Sequence, residues 1–163
     1  MKIPADLHFV VWAALLSTMC ALPAQCQQSP LSIAISTPQS TLKVGSEVRI
    51  EVTLTNASSR RVLIQERNPA TDYEIDVRDE RGTPVPETDL GRKLKEPPVI
   101  PMNSRNFGKY LRPNESTKET IPLSDLYSLS HAGQYTIQVS RLMSNKPKDV
   151  VVKSNTITVT VTE

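Results

Sequence analysis

Hydrophobic and polar residues alternate along most of this chain after its first 30 residues. In one stretch Val48, Ile50, Val52 and Leu54 alternate with charged residues and threonines. Successive side chains of a β-strand point to opposite faces, so each alternating run predicts a strand with one buried and one solvent-exposed face. We interpret seven runs as strands, of which the third is less regular and the fifth weaker: residues 31–35, 48–54, 61–66, 73–77, 116–122, 135–139 and 157–161.

The segments between these runs carry turn signals, such as Gly45, Gly82 and residues 56–59. Ser124 is expected to cap a single helical turn that ends near Leu129. The one-sided alternation argues against a parallel sheet, whose strands are buried on both faces. Seven or so short strands separated by turns therefore predict an all-β fold, an antiparallel β-sandwich.

The first 26 residues predict a secretory signal peptide. Lys2 supplies the positive start, residues 9–22 are apolar, and small residues precede a cleavage site after Ala24 or Cys26. The apolar stretch is shorter than the ~20 residues that span a membrane. We therefore expect residues 27–163 to form one secreted or periplasmic domain, with no transmembrane segment after cleavage. A lipid anchor at Cys26 is not expected, because bacterial lipoprotein signals place a small residue where Gln25 stands.

The predicted mature chain offers few reactive side chains. Both cysteines lie at or before residue 26, and His131 is then the only histidine. His131 could act as a base for a serine nucleophile, but the sequence contains no nucleophile motif. We therefore interpret His131 as a turn residue. No spacing matches a zinc site or a glycine-rich phosphate loop. The sequence predicts no enzymatic activity, no cofactor and no metal. A calcium ion bound between the end loops is compatible with such a fold, but no feature of the sequence favours one.

Charged residues predict a solvated surface. The formal net charge is +2, and positive and negative residues are interspersed. The sequence therefore predicts no basic surface for binding nucleic acid or an anionic membrane. The carboxylates of Glu47, Glu51, Glu74 and Asp76 alternate with apolar residues, so we expect them on solvent-exposed strand faces in weak cross-strand ion pairs. Residues 56–58 and 114–116 match the glycosylation sequon, and we expect both to lie in exposed turns.

Residues 83–107 break the alternation and contain five prolines. Such a long loop without secondary structure is uncommon in a compact domain and is either functional or mobile. One interpretation is a solvated, partly ordered insertion; the other is a binding loop at one end of the sandwich. In the second, an apolar tip ringed by basic residues, with one neighbouring tyrosine, would contact a protein partner: Arg92, Lys93, Lys95, Val99, Ile100, Met102 and Tyr110.

Residues 133–139, GQYTIQV, resemble the sixth strand of immunoglobulin-like sandwiches. With residues 112–116 and 123–130 they give the order proline turn, strand, short helical turn, Gly-x-Tyr, which is similar to bacterial exported immunoglobulin-like domains. The layout is also similar to the non-catalytic sandwich domains of deuterolysin-type proteases and, more loosely, to the bacillar proteinase-inhibitor sandwich family. The resemblance implies an antiparallel immunoglobulin-like β-sandwich of about seven strands, in which the Tyr135 hydroxyl bonds back to the preceding corner. The paired cysteines and core tryptophan of antibody domains are missing.

These observations predict an exported, non-catalytic binding or accessory module that contacts another protein through end loops or a sheet edge. The alternative is a secreted protease inhibitor, which would present the basic, proline-rich segment 83–107 in extended form. A third possibility is a structural domain that supports an envelope assembly by strand addition at its edge.

Overall fold

The structure, a computed structural model, describes residues 29–66, 68–96, 108–143 and 149–163. The predicted signal peptide lies outside these residues. The described part of the chain forms nine strands and three short helices: β1 (Leu31–Ser36), β2 (Thr41–Lys43), β3 (Arg49–Asn56), β4 (Val62–Gln65), α1 (Pro69–Asp72), β5 (Glu74–Arg78), α2 (Asp89–Lys95), β6 (Gly108–Leu111), β7 (Ser116–Pro122), α3 (Leu123–Leu126), β8 (Gly133–Met143) and β9 (Val150–Thr162).

Two main sheets and one ribbon account for these strands. One sheet has the order β1-β3-β7 and the other β2-β9-β8-β5, while β4 and β6 form a separate two-stranded ribbon. All pairings are antiparallel except that of β2 with β9, which is parallel over three residues. The sequence argument against parallel pairing is wrong at this edge, because it concerns strands buried on both faces, whereas β2 is short and mostly exposed.

The strand order is that of an immunoglobulin-like sandwich. Such folds pair the first, second and fifth strands in one sheet and the third, sixth and seventh in the other. Here β1, β3 and β7 form the first group, and β5, β8 and β9 form the second. The predicted fold class is therefore confirmed, and the ribbon β4–β6 is an addition to it.

The core lies between the two sheets and is built from the inward-facing residues of the alternating strands. Burying one such aliphatic side chain is worth roughly 1.5–3 kcal/mol relative to leaving it exposed. The alternation continues through β8, whose burial switches between buried and more exposed at each step from Gln134 to Leu142. The core residues that are essentially inaccessible to solvent are Ile50, Val52, Leu54, Ile64, Leu111, Ile121, Leu123, Ile137, Val139 and Val159.

An irregularity in β9 ties the two sheets together. The β8–β9 register shifts between Gln138 and Ser140. At this bulge the Val139 amide donates to Ser154 Oγ at 2.9 Å. The next residue, Asn155, accepts from the Ile35 amide at 2.8 Å and donates to the Ile35 carbonyl oxygen at 3.0 Å. The Asn155 side chain therefore replaces a strand partner for β1, which belongs to the opposite sheet.

The corner before β8 has the hydrogen bond that the resemblance implied. The Tyr135 hydroxyl donates to the His131 carbonyl oxygen at 2.9 Å, and the tyrosine is buried. His131 itself is exposed in the turn that this bond closes. The prediction of a structural role for Tyr135 is confirmed.

Two local predictions are wrong. Ser124 does not cap α3; Pro122 occupies the N-cap without a side-chain bond, and Ser124 Oγ instead accepts from the Val48 amide at 3.2 Å. Asn56 is not exposed but fully buried, because its side-chain amide donates to the carbonyl oxygens of Arg60 at 2.7 Å and Leu111 at 2.9 Å. The other sequon asparagine, Asn114, is exposed as expected.

The expectation of a loop without secondary structure over residues 83–107 is wrong for its described part, 83–96. Pro84 bridges to Arg78 and Glu87 bridges to Tyr127, and residues 89–95 form helix α2. Thr88 is the N-cap of this helix, and its Oγ1 accepts from the Gly91 amide at 2.9 Å. Its first turn is acidic and its last turn basic, which favours the helix through the peptide dipoles.

Candidate functional site

An open cleft of about 810 Å³ lies where β8 ends and β5 begins. A cleft of this size can hold a few residues of a peptide or a small molecule. Strands β4, β5 and β8, helix α1 and the end of α2 contribute its walls. The lining residues are Leu63, Gln65, Ala70, Thr71, Asp72, Tyr73, Glu74, Lys95, Arg141, Leu142 and Met143.

Arg141 is a buried cation in the wall of this cleft, with only 6% of its side chain exposed. It occupies the next inward position of β8 after Val139. Its Nη2 donates to the Gln65 carbonyl oxygen and lies 3.9 Å from Asp72 Oδ2, and its Cζ lies 5.0 Å from the centre of the Tyr73 ring. Its Nη1 is buried and makes no hydrogen bond with the described part of the chain.

Two further buried polar atoms lie near Arg141. The Tyr73 hydroxyl and Glu119 Oε2 also have no partner at good hydrogen-bond geometry among the described residues, although the Tyr73 hydroxyl lies close enough to Arg141 for a weak bond. Burial, reinforced by the Glu119 charge, raises the pKa of Tyr73 to about 12 against the opposing effect of Arg141. Burial also raises the pKa of Glu119, although Arg141 favours its ionised form. Each residue occupies an inward position that continues the alternation of its strand.

A buried donor or acceptor without a partner costs roughly 1–3 kcal/mol, and more when it is charged. Native proteins leave few of them, so three at one end of a sandwich call for a physical explanation. All three atoms are inaccessible from the cleft, so their cost falls on the stability of this end of the sandwich.

The rim of the cleft is apolar. Leu63 is 48% exposed and Leu142 is 64% exposed, and Met143 lies beside them in the lining. Each leucine has an exposed cross-strand neighbour, which is Tyr110 for Leu63 and Val151 for Leu142. Exposed apolar patches of this kind mark interaction sites on soluble proteins.

Lys95 brings a fixed positive charge to another wall. Its Nζ contacts the Glu87 carboxylate, donates to the Tyr127 hydroxyl at 3.1 Å and lies 5.2 Å from the Tyr127 ring centre. Burial lowers the pKa of Lys95, but its bonds to Glu87 and Tyr127 outweigh burial and raise the pKa overall. Tyr127 in turn donates to the Ile75 carbonyl oxygen at 2.6 Å, which anchors the network on β5.

Helix α2 packs closely enough on α3 to place Lys95 at the cleft, because Gly91 faces α3 and has no side chain. A Cβ at Gly91 would lie 2.3 Å from the Leu126 carbonyl oxygen. The Thr88 amide also donates to that oxygen at 2.9 Å. These contacts hold α2 against α3 and so fix Lys95 at the cleft.

The structure places the described residues of the predicted partner-binding set in two groups. Lys95 lines the cleft, and Tyr110 is 57% exposed opposite Leu63, with Arg61 5.5 Å above its ring. Arg92 and Lys93 lie on the exposed side of α2 and are not among the cleft-lining residues, and Arg92 bonds to Asp89 and the Glu87 carbonyl oxygen. Val99, Ile100 and Met102 lie outside the described residues.

Sequence reasoning missed Tyr73, Glu119 and Arg141 as site residues. A signal for them was present, because period-two alternation extended by one step places Arg141 inward after Val139 and Glu119 inward before Ile121. A charged residue at a core position is rarely buried unless it is paired, which marks these positions for attention.

Other candidate chemistry remains weak in the described part of the chain. The Oγ of Ser130 lies 3.2 Å from His131 Nδ1, but both residues are exposed neighbours in one turn. No group of three or more His, Cys, Asp or Glu residues within the described ranges is placed to hold a metal ion. Three of the strand-face carboxylates form exposed ion pairs at 2.6–2.9 Å. Glu51–Lys118 joins two strands as predicted, whereas Glu47–Arg49 and Asp76–Arg78 join residues two apart along the chain.

Comparison with known proteins gives no family assignment. No family model matches the chain, and no curated protein matches it. Among solved structures, the chain is similar to the CARDB domain of a Pyrococcus furiosus protein, solved in complex with di-metal ions. The two are 16% identical with a TM-score of 0.41, over 80% of this chain and 91% of that one. No helix within the described ranges is long and apolar enough to cross a membrane.

Proposed function

We propose that this protein is an exported, non-catalytic binding module that captures a protein partner at the cleft. The observation that carries the proposal is the exposed apolar rim of the open cleft, where Leu63 and Leu142 are exposed. Tyr110 is exposed opposite Leu63, with Arg61 5.5 Å above its ring. Tyrosine and arginine are enriched among the residues that contribute most to binding at protein interfaces.

The composition of the cleft supports binding over catalysis. Its described lining contains no histidine, cysteine or serine, so it lacks the usual nucleophile and base. Lys95 is engaged by Glu87 and Tyr127, and its pKa is raised, which makes it a poor base. The carboxylates of Asp72 and Glu74 lie in the walls without a nucleophile to activate.

A photo-crosslinking experiment tests this proposal. A benzoylphenylalanine replaces Leu142 at the cleft rim or, as a control, Val44, which is also exposed and follows β2 near the opposite end of β9. In the native exported fraction, we expect a discrete crosslinked partner from position 142 and none from position 44. Loss of that product in a Leu63→Ser background that retains its melting transition would support binding at the cleft rim. Equal crosslinking from both positions would contradict it.

The two alternatives have less support. An inhibitor that offers Arg92 or Lys93 to a protease needs an extended segment, whereas both residues lie in α2. Strand addition at β5 meets an edge that is already occupied, because the Val77 carbonyl oxygen accepts from the Val85 amide at 2.9 Å and the Ile75 carbonyl oxygen accepts from Tyr127. A protected edge of this kind resists pairing with another chain.

A further inference from the structure

We propose that the partner segment captured at the cleft rim is acidic next to its apolar contact, and that Arg61 and Arg112 bind its carboxylates. This inference rests on the proposed function and names the chemistry of the partner. It is carried by the outer face of the ribbon β4–β6, which joins two exposed arginines to the apolar rim of the cleft.

The register of the ribbon brings Arg61 and Arg112 to one face. Leu63 pairs with Tyr110, and both side chains are exposed. Arg61 lies two residues before Leu63, on the same side of its strand. Arg112 lies two residues after Tyr110, so the register, carried one pair beyond the end of the ribbon, places the two arginines opposite each other. They are far apart in the sequence, so only the fold brings them together.

The arginine end of the ribbon, defined by Arg60, Arg61 and Arg112, has a positive charge that the described residues compensate only in part. All three arginines are exposed, and none forms an ion pair with a carboxylate among the described residues. One acidic residue lies near, since Oε2 of Glu115 accepts from the Arg112 backbone amide at 2.7 Å. Like charges opposite each other on a sheet are destabilising, so the carboxylates of a partner would relieve this repulsion.

Arg61 can bind a carboxylate while it contacts Tyr110, with its Cζ 5.5 Å from the ring centre. A guanidinium contacts an aromatic ring with its face, and its N–H groups lie in its plane, where they match the two oxygens of a carboxylate. Charge-assisted bonds of this kind are about twice as strong as neutral ones. The tyrosine ring therefore orients the donor without competing for its N–H groups.

The described walls of the cleft, in contrast, do not attract a negative group. Asp72 and Glu74 contribute carboxylates, and Asp72 lies 3.9 Å from the buried Arg141. The Lys95 ammonium contacts the Glu87 carboxylate. These charges set a direction for the partner segment. Its apolar part lies at the rim, and its acidic part extends away from the cleft to the arginine end.

The distance between the apolar and basic contacts suits an extended peptide. Leu63 lines the cleft, and Arg61 is two residues away, which corresponds to roughly 7 Å along a strand. Side chains two positions apart in an extended peptide have the same separation and point to the same side. An apolar residue packed on Leu63 therefore places an acidic residue, two positions along its chain, beside Arg61 and Arg112.

Three peptides test the inference on the purified mature protein. N-acetyl-Asp-Asp-Ser-Leu-Ser-Asp-Asp-amide carries acids on both sides of one leucine, so it can bind in either chain direction. One control replaces each aspartate by asparagine, and the other replaces the leucine by serine. Binding is followed by titration calorimetry and by the methyl resonances of Leu63 and Leu142. We expect the first peptide to bind at least about tenfold more tightly than either control at low salt, which is ~1.4 kcal/mol, and its preference over the asparagine peptide to shrink as salt is added.

Variants at exposed positions connect these preferences to the named residues. Arg61→Gln combined with Arg112→Gln should abolish the preference for aspartate over asparagine. Arg81→Gln combined with Lys93→Gln removes the same charge from exposed positions outside the ribbon and should leave that preference unchanged. Leu63→Ser should abolish the preference for leucine over serine and retain the preference for aspartate.

The inference is wrong if the acidic and asparagine peptides bind equally, if neither binds at millimolar concentration, or if the control variant loses the preference as the ribbon variant does. Dextran sulfate serves as a polyanion without apolar groups. If it binds the parent and Leu63→Ser equally while the acidic peptide does not bind, the arginines form a polyanion site and the inference is also wrong.

Crosslinking from position 142 reports on the proposed function separately. A specific partner captured there, together with no preference for the acidic peptide, would retain the binding module and remove the acidic contact.

Discussion

Glu119, which has a buried carboxyl oxygen, makes the stability of the fold depend on pH. Burial raises its pKa, and Asp72 and Glu66 add to this effect while Arg141 and Lys109 oppose it. Because the folded-state pKa lies above the ordinary value of 4.5, the stability that this group contributes is fully present below that value and is lost as pH rises through the raised pKa.

Replacement of Glu119 by Gln should therefore stabilise the protein increasingly as pH rises, because glutamine resembles the protonated acid. Urea unfolding of both proteins between about pH 4 and pH 7 measures the difference in the free energy of unfolding. We expect this difference to grow over that interval in favour of the variant. The same change at Glu74, which is exposed on β5, is the control. A difference that does not vary with pH would contradict the argument.

Single residues differ in how well the sequence predicts their interactions in the fold. The hydrogen bond of Tyr135 follows from the local pattern Gly-x-Tyr at a strand start, because donor and acceptor are four residues apart. Arg141 depends on partners far away in the chain, Asp72 and the Gln65 carbonyl oxygen, which only the folded chain brings near. Its inward position is visible in the alternation, but its environment is not.

At the level of elements, α2 depends on one close contact. In Gly91→Ala a Cβ would lie 2.3 Å from the Leu126 carbonyl oxygen, so α2 must shift away from α3. Alanine favours a helix by ~1 kcal/mol over glycine, yet we expect a net loss of about 1–3 kcal/mol, because overpacking against backbone is not easily relieved. Thermal unfolding measures this loss. Lys93→Ala, on the exposed side of the same helix, is the control and should leave the free energy of unfolding unchanged. A Gly91→Ala protein as stable as the parent would show that α2 does not pack against α3 as described.

The elements also divide into those that the sequence predicts and those that it does not. All seven predicted strands recur. Five keep their predicted bounds to within two residues, whereas β8 and β9 extend well beyond the runs 135–139 and 157–161 that predicted them. The strands β2 and β6 are too short for any periodicity. Helix α2 had signals, namely Thr88 before Asp89 and basic residues in its last turn, but the flanking prolines favoured a loop interpretation. The bulge at Ser154 depends on pairing with β8 and cannot be read locally.

In the whole molecule, the corner hydrogen bond of Tyr135 and the buried Arg141 lie at opposite ends of one strand. Tyr135 and Arg141 both lie on the inward face of β8, six residues apart, which corresponds to roughly 20 Å along a strand. The first closes a corner with a single hydrogen bond, and the second lies in the wall of the cleft. Residues this far apart with no shared partner are expected to act independently.

Tyr135→Phe and Tyr73→Phe should therefore differ in their effect on stability, although each removes one buried hydroxyl. The first leaves the His131 carbonyl oxygen without its donor, so we expect a loss of about 1 kcal/mol in the free energy of unfolding and a lower melting temperature. The second removes a buried hydroxyl that donates to no acceptor among the described residues, so we expect the melting temperature to hold or to rise. The double variant should show the sum of both effects. A double variant that departs from this sum would mean that the two ends of the sandwich are coupled through β8.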